Sequence, residues 1–156
     1  MARSPIPSWY FALVVVRKGD RFLIVQERSG DGPWYLPAGR VEPGERLADG
    51  AARETLEESG VPVAIDGVIR VEHTPRAQGA RVRVFFTGTP VDHTEPGPTE
   101  DCADARWVTL AELEDYPLRG EEVREVFEYV AAGGAVYPLS LLTHEGAPFQ
   151  VPGGLQ

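Results

Sequence analysis

Cysteine is scarce in this sequence and long apolar runs are missing, and both absences limit what the protein can be. Cys102 is the single cysteine in 156 residues, so no disulfide can form within the chain. This usage is typical of a reducing compartment, and a cytoplasmic location is expected. No run of about eighteen apolar residues occurs, so no membrane-spanning helix is predicted. The apolar start lacks a small-residue cleavage site and is expected to be mature structure rather than a signal peptide.

Basic residues are outnumbered, and this excludes one class of partner. The chain has 15 Lys and Arg against 24 Asp and Glu, a formal net charge of -9. Such a surface disfavours binding to the phosphates of polymeric nucleic acid. A small nucleotide remains an acceptable substrate, because a metal ion can bridge an acidic site to an acidic ligand.

Length and composition indicate one domain over residues 1–156, with 42% apolar and 25% charged residues. Strand and helix patterns intermingle, which favours an α/β or α+β class. The predicted elements are a hairpin of Trp9–Arg17 and Arg21–Glu27, a short strand Trp34–Pro37, a helix Leu47–Ser59, strands Val63–His73, Arg81–Thr89 and Ala105–Thr109, and a helix Leu118–Ala132. Beyond residue 133 the chain is rich in Gly and Pro. There we expect a short strand at Tyr137–Thr143 and disorder in the last six residues.

The first helix carries an unusual group of carboxylates. At about 100° per residue, Glu54, Glu57 and Glu58 fall within an arc of about 100°. Like charges at this spacing repel, and only Arg53 is near enough to compensate. One interpretation is a solvated acidic face. The other is a site for Mg²⁺ or Mn²⁺, and the preceding loop LPAGRVEPGE favours it because its backbone can come close to a ligand.

The opposite face of this helix is small and partly apolar, which suits close packing on a sheet. Its predicted members are Ala48, Ala52, Thr55, Leu56 and Ser59.

These residues resemble the Nudix box, in which glycines, glutamates and one arginine recur at set spacing. The matching positions are Gly39, Glu45, Arg53, Glu54, Glu57, Glu58 and Gly60. Thr55 stands where the pattern prefers an aliphatic residue, and Ala38 stands where many members carry a glycine. The resemblance covers roughly residues 9–131 and leaves 133–156 as a tail. It implies an α/β/α sandwich with a mixed β-sheet.

The resemblance also implies roles for the acidic residues. Glu54, Glu57 and Glu58 are expected to bind Mg²⁺ or Mn²⁺, with Glu54 as the candidate general base. Arg53 and Glu45 are expected to form a structural pair that holds this catalytic group in place. The carbonyl of Ala38 or Gly39 would supply a further ligand. Asp101 is favoured as an additional metal ligand over its neighbours Glu100 and Asp104, and a solvated loop is the alternative.

Nudix hydrolases cleave a nucleoside diphosphate linked to a second group, so the expected substrate is a small nucleotide. The strings GPWYLPAGRVEPGE and YPLRGEEVREV are similar to those of members that act on 8-oxo-guanine nucleoside diphosphates, and an oxidised guanine nucleotide is the first candidate. ADP-ribose and nucleotide sugars stay open, as does a nucleotide sensor without catalysis. Arg28, Trp34 and Phe85 are the candidate substrate contacts. The resemblance also allows a homodimer.

Overall fold

The computed structural model describes residues 3–29 and 31–151. Within these ranges the chain forms seven strands and two α-helices. The strands are β1 Ser8–Lys18, β2 Arg21–Glu27, β3 Trp34–Tyr35, β4 Ala38–Arg40, β5 Val63–Arg76, β6 Gly79–Pro90 and β7 Cys102–Val108; the helices are α1 Leu47–Ser59 and α2 Glu122–Ala131. Short 3₁₀ turns span Glu112–Asp115 and Leu139–Leu141.

The strands form a mixed sheet in the order β3-β2-β1-β6-β5, with β4 paired to β1 and β7 paired to β2. β1 and β6 run parallel, from Ser8 opposite Ala80 to Val16 opposite Gly88. The predicted hairpin of β1 and β2 pairs only beside its turn, at Arg17–Phe22 and Lys18–Arg21. Farther along, β1 pairs with β4 and β2 pairs with β3, while β7 pairs along the other edge of β2.

Alternation along β1 separates two cores and produces the α/β/α sandwich that the sequence predicts. Ala12, Val14 and Val16 are buried with Ala51 of α1. Leu13 and Val15 point the other way and are buried with α2. On that side the rings of Phe22 and Phe127 stack with their centroids 4.6 Å apart. Successive side chains of a strand face opposite sides, so one central strand serves both helices.

Helix α1 has the predicted bounds, and its C-terminus shows why it stops. Gly60 adopts a left-handed conformation with φ of 76°, and its N–H donates to the carbonyl of Leu56 at 2.8 Å. Thr55, the residue that departs from the box pattern, is fully buried, and its hydroxyl donates to the carbonyl of Ala51 at 2.8 Å. The polar atom is therefore satisfied. Leu56, predicted on the packing face, is instead exposed, and Gly50 and Ala51 are buried in its place.

Helix α2 begins four residues later than predicted, because the chain before it is used for pairing. Trp34 donates its N–H to the carbonyl of Pro117 and accepts one from Arg119 at its own carbonyl, both at 2.8 Å. An isolated bridge also joins Trp34 to Leu118. These bonds hold Leu118 and Arg119 beside β3, and the helix begins at Glu122.

The tail differs from the predicted strand at Tyr137–Thr143. Tyr137 and Val68 exchange two backbone hydrogen bonds, of 2.7 and 2.8 Å, at the edge of β5. After this single bridge the chain forms the 3₁₀ turn, and Leu139 and Leu142 pack against the α1-side core. The disorder predicted for the last six residues falls, apart from Val151, outside the described residues. Among the described residues no helix has the length and hydropathy that crossing a bilayer requires.

Candidate active site

Arg53 joins the acidic residues of the box into one network. Its Nε and one terminal nitrogen donate to the two oxygens of Glu45, at 2.7 and 3.0 Å. The other terminal nitrogen donates to Glu54 at 2.9 Å and to Glu57 at 3.0 Å. A further bond of 3.0 Å reaches the carbonyl of Arg40, the last residue of β4. One guanidinium therefore contacts three carboxylates, neutralises part of their charge and fixes the loop to the helix.

Glu54 lies against the backbone of the loop rather than in solvent. A methyl group on Gly39 would come within 2.0 Å of the Glu54 carboxyl carbon, so only glycine leaves room there. Burial raises the pKa of Glu54 above its ordinary value, and the Arg53 hydrogen bond opposes that rise. Gly39 therefore leaves the space that the Glu54 carboxylate occupies, and this space is called the Glu54 cradle.

Glu58 is the most strongly perturbed acid of the group. The backbone N–H of Ala38 donates to it at 2.9 Å. Burial raises the pKa of Glu58 to about 8, and the charges of Glu54, Asp101 and Glu27 add to the rise. The structure thus gives Ala38 a contact with Glu58 through its N–H, while the predicted metal ligation by its carbonyl stays a prediction.

The loop before β7 brings Asp101 to the same place. Thr99 links the two segments, because its hydroxyl accepts the N–H of Asp101 at 3.2 Å and donates to the carbonyl of Glu58 at 3.5 Å. Asp101 acts on the pKa values of both Glu54 and Glu58. By contrast, Asp104 pairs with Arg106 at 2.8 Å. Asp101 is therefore the loop acid whose charge reaches Glu54 and Glu58.

Glu27 belongs to this acidic group although the motif gives no sign of it. It is the last residue of β2 and pairs with Cys102 across a bulge. Its charge raises the pKa of Glu58, and its carboxylate pairs with Arg119 at 3.1 Å. The sequence signal for including Glu27 in this group was its position at the end of a predicted strand, because strand ends at one edge of a sheet lie near each other.

The donor set suits a hard divalent cation, since Glu27, Glu54, Glu57, Glu58 and Asp101 offer only oxygen atoms. Burial among like charges, as at Glu58, is the electrostatic state that a cation relieves. In residues 3–29 and 31–151, no three acidic, His or Cys side chains stand ready to hold a metal. Arg53 accounts for this, because it holds Glu54 and Glu57 itself. Metal binding would require these carboxylates to turn from the guanidinium.

Cys102 lies beside this group, but its thiol is unreactive at neutral pH. It is buried, and burial together with the charges of Glu58 and Asp101 raises the pKa of its thiol to about 12. A thiol in this state is a poor nucleophile at neutral pH.

A cavity of about 250 Å³ opens beside the Glu54 cradle, and Ala38 and Gly39 form part of its wall. Its other lining residues are Phe11, Leu13, Tyr35, Arg81, Arg83, Arg119 and Glu122. Aromatic faces and cationic groups therefore meet at the backbone that holds Glu54 and Glu58. Such a mixture suits a planar ligand that carries anionic groups.

The predicted substrate contacts lie outside the lining of this cavity. Arg28 is exposed and reaches the carbonyl of Thr99 at 3.4 Å. Trp34 is 6% exposed and packs edge-on against Tyr116, while Phe85 is 3% exposed in the α2-side core. Their contact with substrate stays a prediction. The sequence did not single out three arginines of the cavity wall, Arg81, Arg83 and Arg119. Arginines scattered along a sequence have no local signature, and only the pairing of distant segments brings these three together.

The sequence and the fold of this chain resemble those of known proteins. The NUDIX domain model matches residues 9–130. The chain therefore belongs to the NUDIX family, and its mixed sheet and flanking helices are the fold of that family. A solved NUDIX hydrolase from Nitrosomonas europaea superposes with a TM-score of 0.74 at 26% identity, over 90% of this chain and all of that one.

Two curated relatives lie at similar distance. The human 8-oxo-dGDP phosphatase NUDT18 is 31% identical over 123 residues, which is 76% of this chain and 37% of that protein. Phosphatase NudJ of Escherichia coli O1:K1 / APEC is 30% identical over 141 residues, 86% of this chain and 90% of that protein. The chain thus spans well under half the length of NUDT18 and nearly all of NudJ.

Proposed function

We propose that this protein is a Mg²⁺-dependent hydrolase that cleaves the pyrophosphate bond of a nucleoside diphosphate linked to a second group. One observation carries the proposal: the aromatic, arginine-lined cavity shares the Ala38–Gly39 backbone with the half-buried carboxylates Glu54 and Glu58. A nucleoside in the cavity would present its phosphates to these carboxylates. Family membership supports the reaction class, because the solved relatives are named as hydrolases.

Each acidic residue has a distinct part in this proposal. Glu57, Glu58 and Asp101 would hold Mg²⁺, with the Ala38 carbonyl as a further ligand. Bound Mg²⁺ would polarise phosphoryl oxygens and lower the pKa of water. Glu54, cradled at Gly39, would take the proton from the attacking water. Arg53 keeps its two-point contact with Glu45 and so keeps the box loop on α1 while Glu54 and Glu57 exchange partners.

The first substrate candidate is an 8-oxo-guanine deoxynucleoside diphosphate. The name of the human relative supports it, as does a Bacillus subtilis relative named putative 8-oxo-dGTP diphosphatase, 33% identical over 102 residues. ADP-ribose and nucleotide sugars are the alternatives. A solved ADP-ribose pyrophosphatase from Streptococcus suis and a solved UDP-X diphosphatase share the fold at 22% and 16% identity.

The test is hydrolysis of a nucleotide panel by the purified protein, with and without Mg²⁺. The panel holds 8-oxo-dGDP, 8-oxo-dGTP, dGTP, ADP-ribose, a nucleotide sugar and a dinucleoside polyphosphate. We expect metal-dependent release of phosphate or nucleoside monophosphate, greatest for the oxidised guanine nucleotides. If none of the panel nucleotides is hydrolysed while Mg²⁺ is bound, the proposed enzymatic function is refuted and a nucleotide sensor is favoured.

Glu57→Gln tests the metal-ligand assignment. Glu57 is exposed and its bond to Arg53 is one of several, so the variant should fold normally. Activity should fall by roughly a hundredfold or more, as when one electrostatic stabiliser is lost at an active site. The matched control is Glu114→Gln, an exposed acid in the 3₁₀ turn, which should keep full activity. Unchanged turnover in Glu57→Gln would remove this residue from the site.

A further inference from the structure

The loop before β7 caps the C-terminus of α1. The last carbonyls of a helix have no partner within it and need donors from elsewhere. The carbonyl of Ser59 accepts the N–H of Gly97 at 3.2 Å, and the carbonyl of Glu58 accepts the hydroxyl of Thr99 at 3.5 Å. The loop is therefore attached to the helical turn that carries the half-buried carboxylate of Glu58.

The side chain of Thr99 also orders the turn that follows it. Its hydroxyl oxygen accepts the N–H of Asp101 at 3.2 Å and the N–H of Cys102 at 3.1 Å. The carbonyl of Cys102 in turn donates nothing but accepts the backbone N–H of Thr99 at 3.0 Å, which closes the turn. A threonine hydroxyl has one donor and two acceptor sites, so its contacts to Glu58, Asp101 and Cys102 use all three.

The carboxylate of Asp101 depends on this turn for its position. It is exposed and, among the described residues, has no hydrogen-bond or ion-pair partner of its own. Its backbone is fixed on one side by Thr99 and on the other by Cys102, which is 5% exposed and begins β7. The charge of this carboxylate nevertheless reaches Glu54 and Glu58. The backbone of Asp101 therefore sets where its charge lies, and the Thr99 hydroxyl holds that backbone.

We propose that Thr99 is a positioning residue of the metal site, whose hydroxyl holds Asp101 near Glu58 so that both carboxylates can bind one divalent cation. The proposal rests on the proposed function, in which both acids hold Mg²⁺, and it names the group that keeps one of them in place. Asp101 comes from a loop and Glu58 from a helix, so without this hydroxyl the loop acid would have to be ordered when the cation binds. Groups that orient a ligand without touching the metal typically contribute roughly 10–100-fold to metal affinity.

Binding of Mn²⁺ to the protein without nucleotide tests this role without hydrolysis. Mn²⁺ takes the same oxygen ligands as Mg²⁺, and the loss of the free-ion signal in electron paramagnetic resonance measures how much is bound. Thr99→Val removes the hydroxyl and keeps the branched shape, so its dissociation constant for Mn²⁺ should rise about tenfold. Thr99→Ser keeps the hydroxyl and should bind Mn²⁺ within about twofold of the wild-type protein.

Two controls accompany Thr99→Val. Thr89→Val also removes a hydroxyl that donates to another segment, to Asp66 at 2.6 Å on the exposed surface of the β5–β6 hairpin, and it should bind Mn²⁺ as the wild-type protein does. A thermal melt checks that Thr99→Val is folded, which we expect because the bond from Gly97 to Ser59 stays in place. Thr99→Ala needs less space and takes its place if Thr99→Val does not fold.

A double-mutant cycle with Asp101→Asn separates the positioning of Asp101 from general support of the loop. Asp101→Asn removes a charge at an exposed position and should weaken Mn²⁺ binding by at least as much as Thr99→Val. If Thr99 acts through Asp101, Thr99→Val should add less than about twofold in the Asp101→Asn background, because changes that act on one contact are not additive. An addition of about tenfold in that background would overturn the role, since Thr99 would then act on another group.

Three further results would overturn the role of Thr99. They are an unchanged Mn²⁺ affinity in Thr99→Val or in Asp101→Asn, a loss in Thr99→Val that Thr99→Ser shares in full, and an absence of Mn²⁺ binding by the wild-type protein. Failure of the proposed function alone is distinguishable, since it shows as the expected order of Mn²⁺ affinities with no hydrolysis of any panel nucleotide.

Discussion

Arg53 is the residue that makes the acidic helix stable. Its side chain is 30% exposed and that of Glu45 is 17% exposed, so their ion pair is partly shielded from solvent. The hydrogen bond from Arg53 lowers the pKa of Glu45, which therefore stays ionised at neutral pH. Because the same guanidinium also contacts Glu54 and Glu57, repulsion along the helix is offset without a metal.

Gly39 offers a sharp test of the cradle. A methyl group there would lie 2.0 Å from the Glu54 carboxyl carbon, so Gly39→Ala must displace the carboxylate. We expect activity to fall about a hundredfold, the size of effect that a displacement of about 1 Å can have at an active site. Steady-state kinetics beside a thermal melt would measure it.

The matched control is Gly97→Ala. A methyl group at Gly97 meets nothing within 4 Å, so this variant should keep wild-type activity and stability. Equal activity of the two alanine variants would show that Glu54 tolerates displacement, and the cradle would lose its proposed role.

At the scale of elements, α2 is attached to the sheet by one polar cluster. Arg83 of β6 donates to both oxygens of Glu122, at 3.1 and 2.8 Å, and Tyr35 of β3 donates to the same carboxylate. Burial raises the pKa of Tyr35, and the neighbouring Glu122 raises it further. The first turn of α2 is therefore linked to two strands that form the cavity wall.

This attachment predicts a pH dependence of stability. The Arg83 hydrogen bonds lower the pKa of Glu122 below that of an unfolded glutamate, about 4.3. Glu122 thus stabilises the fold above that value, and the contribution disappears as the pH falls through the lower folded pKa. The difference in melting temperature between wild type and Glu122→Gln should be constant from pH 7 to 6 and shrink toward pH 3.

Repeating this comparison in an Arg83→Gln background provides the control. Without the guanidinium, Glu122 has lost the main cause of its lowered pKa, so the shrinkage should be much smaller. A difference between wild type and Glu122→Gln that is the same at pH 7 and pH 3 would contradict the assignment.

The two helices also show where a local sequence pattern is enough to predict the bounds of an element and where it is not. The bounds of α1 follow from its own residues, since periodicity marks its length and Gly60 marks its end. The start of α2 does not, because Leu118 and Arg119 have helical propensity but are drawn into pairing with Trp34. A helix pattern next to an open strand edge is ambiguous until the partner strand is known.

For the whole molecule, the net charge of -9 predicts that bound cations stabilise the fold. If Mg²⁺ binds the folded carboxylates in preference to the unfolded chain, it should raise the melting temperature. The stabilisation is about 2.7 kcal/mol when free metal is one hundred times the dissociation constant. Differential scanning fluorimetry over a Mg²⁺ series, at constant ionic strength set with NaCl, would measure it.

Glu57→Gln and Glu58→Gln each remove a proposed Mg²⁺ ligand, so their melting temperatures should respond less to Mg²⁺. A wild-type melting temperature that does not respond to millimolar Mg²⁺ would argue against a metal site on α1. An equal response in all three proteins would place the cation elsewhere on the acidic surface.

The sequence by itself determined the acidic helix, its bounds and the Gly60 end, and the resemblance to the Nudix box added Gly39 and the pair Glu45 and Arg53. These are short-range features, in which periodicity and spacing within about twenty residues decide the geometry. Tertiary structure alone decided the rest. It brought Glu27 and Asp101 to the carboxylates of α1, and Phe11, Arg81 and Arg119 to one cavity. Their strands and loops are far apart in sequence and meet through the parallel β1–β6 pairing, the β2–β7 ladder and the pairing of Arg119 with Trp34, which no local pattern specifies.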